Sequence, residues 1–108
     1  MALTQAFAPL ANTVNVAIGN TSANVLVITG SGGASGFSGY QIRLHNSSSS
    51  TVFVAFGATS SATASVSTSL PLPPGDVEVF TVPFQTAYVA VIATAAGGTL
   101  YATPGEGV

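Results

Sequence analysis

Tyr40-Gln41-Ile42-Arg43-Leu44-His45 sets an apolar side chain at every second position with a polar one between. Successive side chains of an extended strand point to opposite faces, so the stretch reads as a half-buried β-strand. The same period of two recurs on either side of it. Upstream, Val14, Val16 and Ile18 alternate with Asn15 and Ala17 before a Gly19-Asn20 turn. Val25-Leu26-Val27-Ile28 is a short apolar run, and residues 29–39 form a Gly/Ser loop. Downstream, residues 46–50 are a polar turn. Val52, Val54 and Phe56 then face one way while Phe53 and Ala55 face the other. Residues 62–67 read as a weaker strand around Ala64 and Val66. Leu70-Pro71-Leu72-Pro73-Pro74-Gly75 reads as a rigid crossing, because proline presets φ and removes a backbone donor. Residues 77–82 and 87–93 are further strands, Ala96-Gly97-Gly98 is a tight turn, and residues 99–103 close the pattern.

This pattern predicts an all-β fold: a single small antiparallel β-sandwich, jelly roll or barrel of about seven or eight short strands. No window carries the helical i, i+3, i+4, i+7 repeat, and Val and Thr outnumber helix formers. The chain of 108 residues has room for one domain. We expect an N-terminal arm over residues 1–12, a β domain over 13–103 and a C-terminal tail over 104–108. The strands at 51–56 and 87–93 are apolar on both faces, so each needs cover on both sides, and another subunit is one candidate cover.

Charge is nearly missing. Arg43, Asp76, Glu78 and Glu106 make up the 4% of ionic residues, and there is no lysine. One arginine cannot neutralise the several phosphates that supply nucleic-acid affinity, so no nucleic-acid partner is expected. A formal charge of −2 leaves a surface of Ser, Thr, Ala, Asn and Gly without the interspersed ions that keep soluble molecules apart. Such a surface predicts burial against copies of the same chain or a large partner; the alternative is a surface wetted by its Ser and Thr hydroxyls. The longest apolar run, residues 87–93, is far short of the about 18 residues of a membrane helix, and no membrane partner is expected. Residues 1–17 lack the basic and apolar segments of a signal peptide, so the chain is expected to stay in the compartment where it is made.

The residues that carry chemistry are sparse as well. Val25-Leu26-Val27-Ile28-Thr29-Gly30-Ser31-Gly32-Gly33 opens like a dinucleotide fingerprint, but the third glycine is displaced to Gly36 and no helix pattern follows. No cofactor is expected. A triad could be drawn from His45, Asp76 and one of many serines, yet no Gly-x-Ser-x-Gly elbow marks a nucleophile, so the chain is not expected to be an enzyme. One His and no Cys cannot build a transition-metal site. Asp76 and Glu78 could hold calcium with backbone oxygens, though a solvated acidic face, or pairing with Arg43, fits them better.

Three segments resemble small structural proteins encoded by tailed bacteriophages: Val52-Phe53-Val54-Ala55-Phe56-Gly57, then Pro71-Leu72-Pro73-Pro74-Gly75-Asp76-Val77-Glu78-Val79-Phe80, then Leu100-Tyr101-Ala102-Thr103-Pro104-Gly105-Glu106-Gly107. The family most similar is the capsid decoration or cement protein, and the likeness spans about the last 60 residues, with weaker support from residues 1–18. It implies a β-rich, non-enzymatic virion protein on the capsid exterior, made in the host cytoplasm. It further implies a major capsid protein as partner and assembly as a homo-oligomer, a trimer ahead of a dimer. No family site maps onto the chain residue by residue. The candidate contacts are apolar anchors Leu3, Phe7 and Leu10 in the arm, Arg43, His45 and Glu78 on the domain, and Pro104 and Glu106 in the tail. The alternatives are a head–tail adaptor, tail or fibre subunit, and a small carbohydrate-binding module whose platform would draw on Tyr40, Tyr88 and Tyr101.

Overall fold

The computed structural model describes residues 7–9, 12–27, 39–83 and 86–107, and among them it holds nine strands and no helix. The strands are β1 (Phe7–Pro9), β2 (Val14–Ala17), β3 (Ala23–Leu26), β4 (Gly39–Asn46), β5 (Val52–Gly57), β6 (Leu70–Leu72), β7 (Val77–Pro83), β8 (Tyr88–Ala93) and β9 (Thr99–Gly107). They form two antiparallel sheets. In the first, β9 lies between β4 and the pair β1 and β2, and β7 closes the far side of β4; in the second the order is β3-β8-β5-β6. From β2 to β9, every connection except β5 to β6 passes from one sheet to the other. Eight strands threaded in this way are two Greek keys, the connectivity of a jelly roll. Of the three expected architectures, this is the one the chain adopts.

The core follows from the alternation. Ile42 and Leu44 of β4 and Leu100 and Ala102 of β9 point inward from the first sheet. They meet Val52 and Val54 of β5, Val89 and Val91 of β8 and Leu72 of β6, all buried. Val16 of β2, opposite Leu100, seals one side.

Four segments depart from expectation, each for a local reason. Residues 62–67 form no strand. Here Ser and Thr side chains compete for the backbone: the Ser65 amide donates to Ser69 Oγ, and the Ser69 amide to the Ser65 carbonyl. Leu70–Leu72, expected as a crossing, is a strand, with Pro71 opposite Phe53 on β5. It lies at a sheet edge, where a missing donor costs no ladder bond. The strand expected from Val25 begins earlier, at Ala23. The fourth departure is the end of the chain. Residues 104–107, expected in a tail, continue β9, which Pro104 joins to Ile42 and Gly105 to both Gln41 and Pro9. The arm expected over residues 1–12 contains β1, paired with residues 105–107.

The second apolar face of β5 and β8 receives part of its cover from the chain itself. Asn24, on the outer face of the second sheet opposite Ala90, donates to the carbonyls of Ser60 at 2.9 Å and Ala62 at 3.1 Å. The Ala64 amide donates to Ser22 Oγ. These bonds lay residues 60–64 over the sheet, which is how Ala90 is fully buried although it faces outward. The approach is close: a Cβ on Gly57 would stand 2.8 Å from that of Ala62.

Among the described residues, Asn46 is the one fully buried polar side chain, and it joins two of the connections between the sheets. Its amide nitrogen reaches the carbonyls of Ser50, Leu72 and Pro73 within 3.0 Å, while its Oδ1 accepts from the Ser48 amide and hydroxyl. Its own backbone bonds Gly75 and Asp76. One side chain thereby pins the β4–β5 turn to the β6–β7 connection.

Candidate interaction surface

Alternation along β4 puts Gln41, Arg43 and His45 on the outer face of the first sheet, and register assigns their neighbours. His45 lies between Tyr101 on β9 and Val77 on β7; Arg43 lies between Thr103 and Val79; Gln41 lies between Gly105 and Thr81. Asn15 on β2 extends the first row beyond Tyr101. The His45 and Tyr101 rings stack with centroids 6.0 Å apart and planes 25° from parallel. Tyr101 is 39% exposed, and Val77 and Val79 are 42% exposed each. Thr13 and Thr103 share a hydroxyl hydrogen bond of 2.6 Å at the β2 side. Gln41 Nε2 donates to Thr81 Oγ1 at 3.3 Å. The result is a sheet face with one aromatic pair, two exposed valines and the domain's single arginine.

Expected contact residues divide across the fold. Arg43 and His45 are neighbours on this face. Glu78 is not with them: it stands opposite Leu44, so its side chain leaves the other side of the sheet, and the expected pairing with Arg43 does not form. Glu78 instead hydrogen-bonds Asp76. That bond, then the charge of Asp76, raises the Glu78 carboxyl above the usual carboxylate range. Among the described residues no group of three metal-ligating side chains accompanies this pair. Pro104 is fully buried under the first sheet and is not a surface contact. Glu106 pairs with Ala8 along β9, and Phe7 with Gly107. Leu3, Leu10 and the glycine loop over 30–36 lie outside the described residues.

The sequence offered Tyr101 only as one of three tyrosines of a sugar platform and did not single out Val77 and Val79 as surface groups, since alternation does not say which side of an apolar strand faces solvent. The register beside Arg43 and His45 does. No helix among the described residues is long and apolar enough to cross a membrane. Compared with known proteins, the chain matches no family model, no curated sequence and no solved structure.

Proposed function

We propose that the protein is a non-enzymatic structural subunit of a virion, a capsid decoration protein that binds the outer shell and bridges neighbouring major capsid protein subunits. One observation carries this reading: a nearly ion-free chain presents a β-sheet face on which Tyr101, Val77 and Val79 are exposed around Arg43 and His45. A β-sheet face is stiff, so little ordering entropy opposes docking. The bacteriophage resemblance of the segments at 52–57, 71–80 and 100–107 points the same way. Jelly rolls serve shell proteins, lectins and cupins alike, so the architecture supports no one of these above the others. Weak single contacts suffice when an oligomer engages several sites, because the later ones bind at high effective concentration.

The test is co-sedimentation with expanded empty heads of the phage that encodes the chain. The intact protein should saturate the heads at hundreds of copies. The double variant Tyr101→Ala, His45→Ala should lose at least about tenfold in affinity, as expected when an interface loses its aromatic anchor, while keeping its β circular dichroism. Removing residues 1–10 should likewise abolish binding if the arm anchors the protein. Saturation at a dozen copies would favour a head–tail adaptor instead. The stacked His45–Tyr101 pair also favours a second reading, a sugar-binding face, and saturable binding on a glycan array without head binding would establish it.

A further inference from the structure

Among the described residues the two sheets have four edges, and three of these are short. One is divided between β1 and β2, of three and four residues. The β3 edge is four residues, and the β6 edge is three with Pro71 at its centre. Short strands and proline are the usual protection against edge-to-edge pairing. The fourth edge is β7: seven residues, Val77-Glu78-Val79-Phe80-Thr81-Val82-Pro83, bonded to β4 on one side and, among the described residues, to no strand on the other. Its proline stands at the end, and its sequence is among the most β-prone in the chain.

A second observation converges on the same side of the molecule. One four-residue connection, 73–76, joins β6 to β7, the edge strands on the same side of the two sheets. Of the five large apolar side chains exposed among the described residues, four sit there: Val77 and Val79 on β7, Leu70 on β6, and Val66 in the turn leading into β6. Open backbone and exposed aliphatics share one flank.

We propose that β7 is a dimerisation edge that pairs antiparallel with β7 of a second copy of this chain, with Val79 opposite its own counterpart on the two-fold axis. Charge selects the register. With Val79 on the axis, Glu78 faces Phe80 of the partner copy and Val77 faces Thr81, so the two carboxylates stay apart. Shifting the axis by one residue to Glu78 would set them against each other, and like charges directly opposite are destabilising. Shifting it to Phe80 leaves Val77 opposite Pro83 and makes poorer use of the exposed valines. Phe80 already packs on Phe56 with ring centroids 5.7 Å apart, so Val77 and Val79 are the groups still to be covered. A seven-residue strand is about 24 Å long, so the whole open edge can pair with that of a second copy. An isologous contact of this kind uses up the edge in both copies, and the blunted edges give a closed dimer rather than a filament. The inference deepens the self-association in the proposed function and does not depend on the capsid; head binding is measured separately.

The chain has no cysteine, which makes the register directly testable. Paired antiparallel residues lie about 4.5–5.5 Å apart at Cα, within the span of a disulfide. Val79→Cys should therefore cross-link to itself on mild oxidation. Thr81→Cys alone should cross-link slowly, and a mixture of Val77→Cys and Thr81→Cys should give the mixed dimer. Light scattering of the unmodified protein should give twice the mass of the chain. Val79→Lys should raise the dissociation constant at least about tenfold, since it sets two cations in contact and removes an apolar pair, with its β spectrum unchanged. Hydrogen exchange should show amides within residues 77–83 protected only in the dimer, as new strand pairing requires and face-to-face docking does not. A monomer at every concentration would overturn the proposal. So would a trimer indifferent to Val79→Lys, or Thr81→Cys cross-linking as fast as Val79→Cys.

Discussion

Asn46 shows how much a single side chain can hold. Its two amide hydrogens are shared among three carbonyls, and its oxygen accepts twice, so every polar atom of a fully buried group is satisfied. Replacing it with Leu removes the amide donor from the carbonyls at 50, 72 and 73, of which that of Ser50 keeps the Ser48 hydroxyl and that of Leu72 is buried, and a stranded buried group costs about 1–3 kcal/mol. Asn46→Leu should therefore lower the urea unfolding free energy by about 3 kcal/mol, with the β spectrum retained at low denaturant. A second intolerant position is Gly98. Its φ of +85° is disfavoured for a side chain, and an added Cβ would overlap Ser48 Cβ. Gly98→Ala should cost about 1–3 kcal/mol in the same assay. Glu78 adds a pH dependence. Its bond to Asp76 raises the folded carboxyl above its unfolded value, so the folded state holds the proton to higher pH. Stability is then greatest below the ordinary Glu range and falls as pH rises through the raised value. Glu78→Gln should flatten that fall in melting temperature as pH rises above the ordinary Glu range. An equal fall in the variant would assign it to other groups.

Among the elements, β9 and the segment at 58–69 matter most. β9 is bonded along both sides, to β4 on one and to β2 and β1 on the other, and it carries the buried Leu100, Ala102 and Pro104. Deleting residues 104–108 should therefore destabilise the domain rather than trim a tail, seen as a cooperative transition at clearly lower urea. The 58–69 segment hangs on Asn24 and Ser22 across the second sheet. Asn24→Ala should release it, shown by protease cleavage within 58–65 while β2 to β9 stay protected. Most strands were legible beforehand, because alternation of Val, Ile, Leu and Phe with polar residues has one reading. The segments at 62–67 and 70–72 were not. In the first, Ala and Val imitate a strand while serines take the backbone bonds. In the second, prolines imitate a breaker, yet they sit where an edge strand can carry them.

For the whole molecule, the shortage of charge and the placement of apolar groups act together. With four ionic residues there is little repulsion to screen, so self-association through the β6–β7 flank should be nearly independent of salt. Light scattering at low and at high salt should give the same mass, and a dimer that dissociates or grows with salt would require charged contacts the chain scarcely has. By itself the sequence determined that the protein is all-β, that it has one core, and which side of β4 turns inward, because period-two patterning is a local property of the extended chain. It also brought Arg43 and His45 forward as surface groups. Only the tertiary structure decided that the sandwich is a jelly roll, since sandwich, roll and barrel share one periodicity and differ in pairing between distant strands. It likewise decided that Pro104 is buried, that Glu78 faces away from Arg43, and that β7 is the long open edge among the described residues. Each depends on register between strands far apart in sequence, which burial of the whole core selects and no local pattern records.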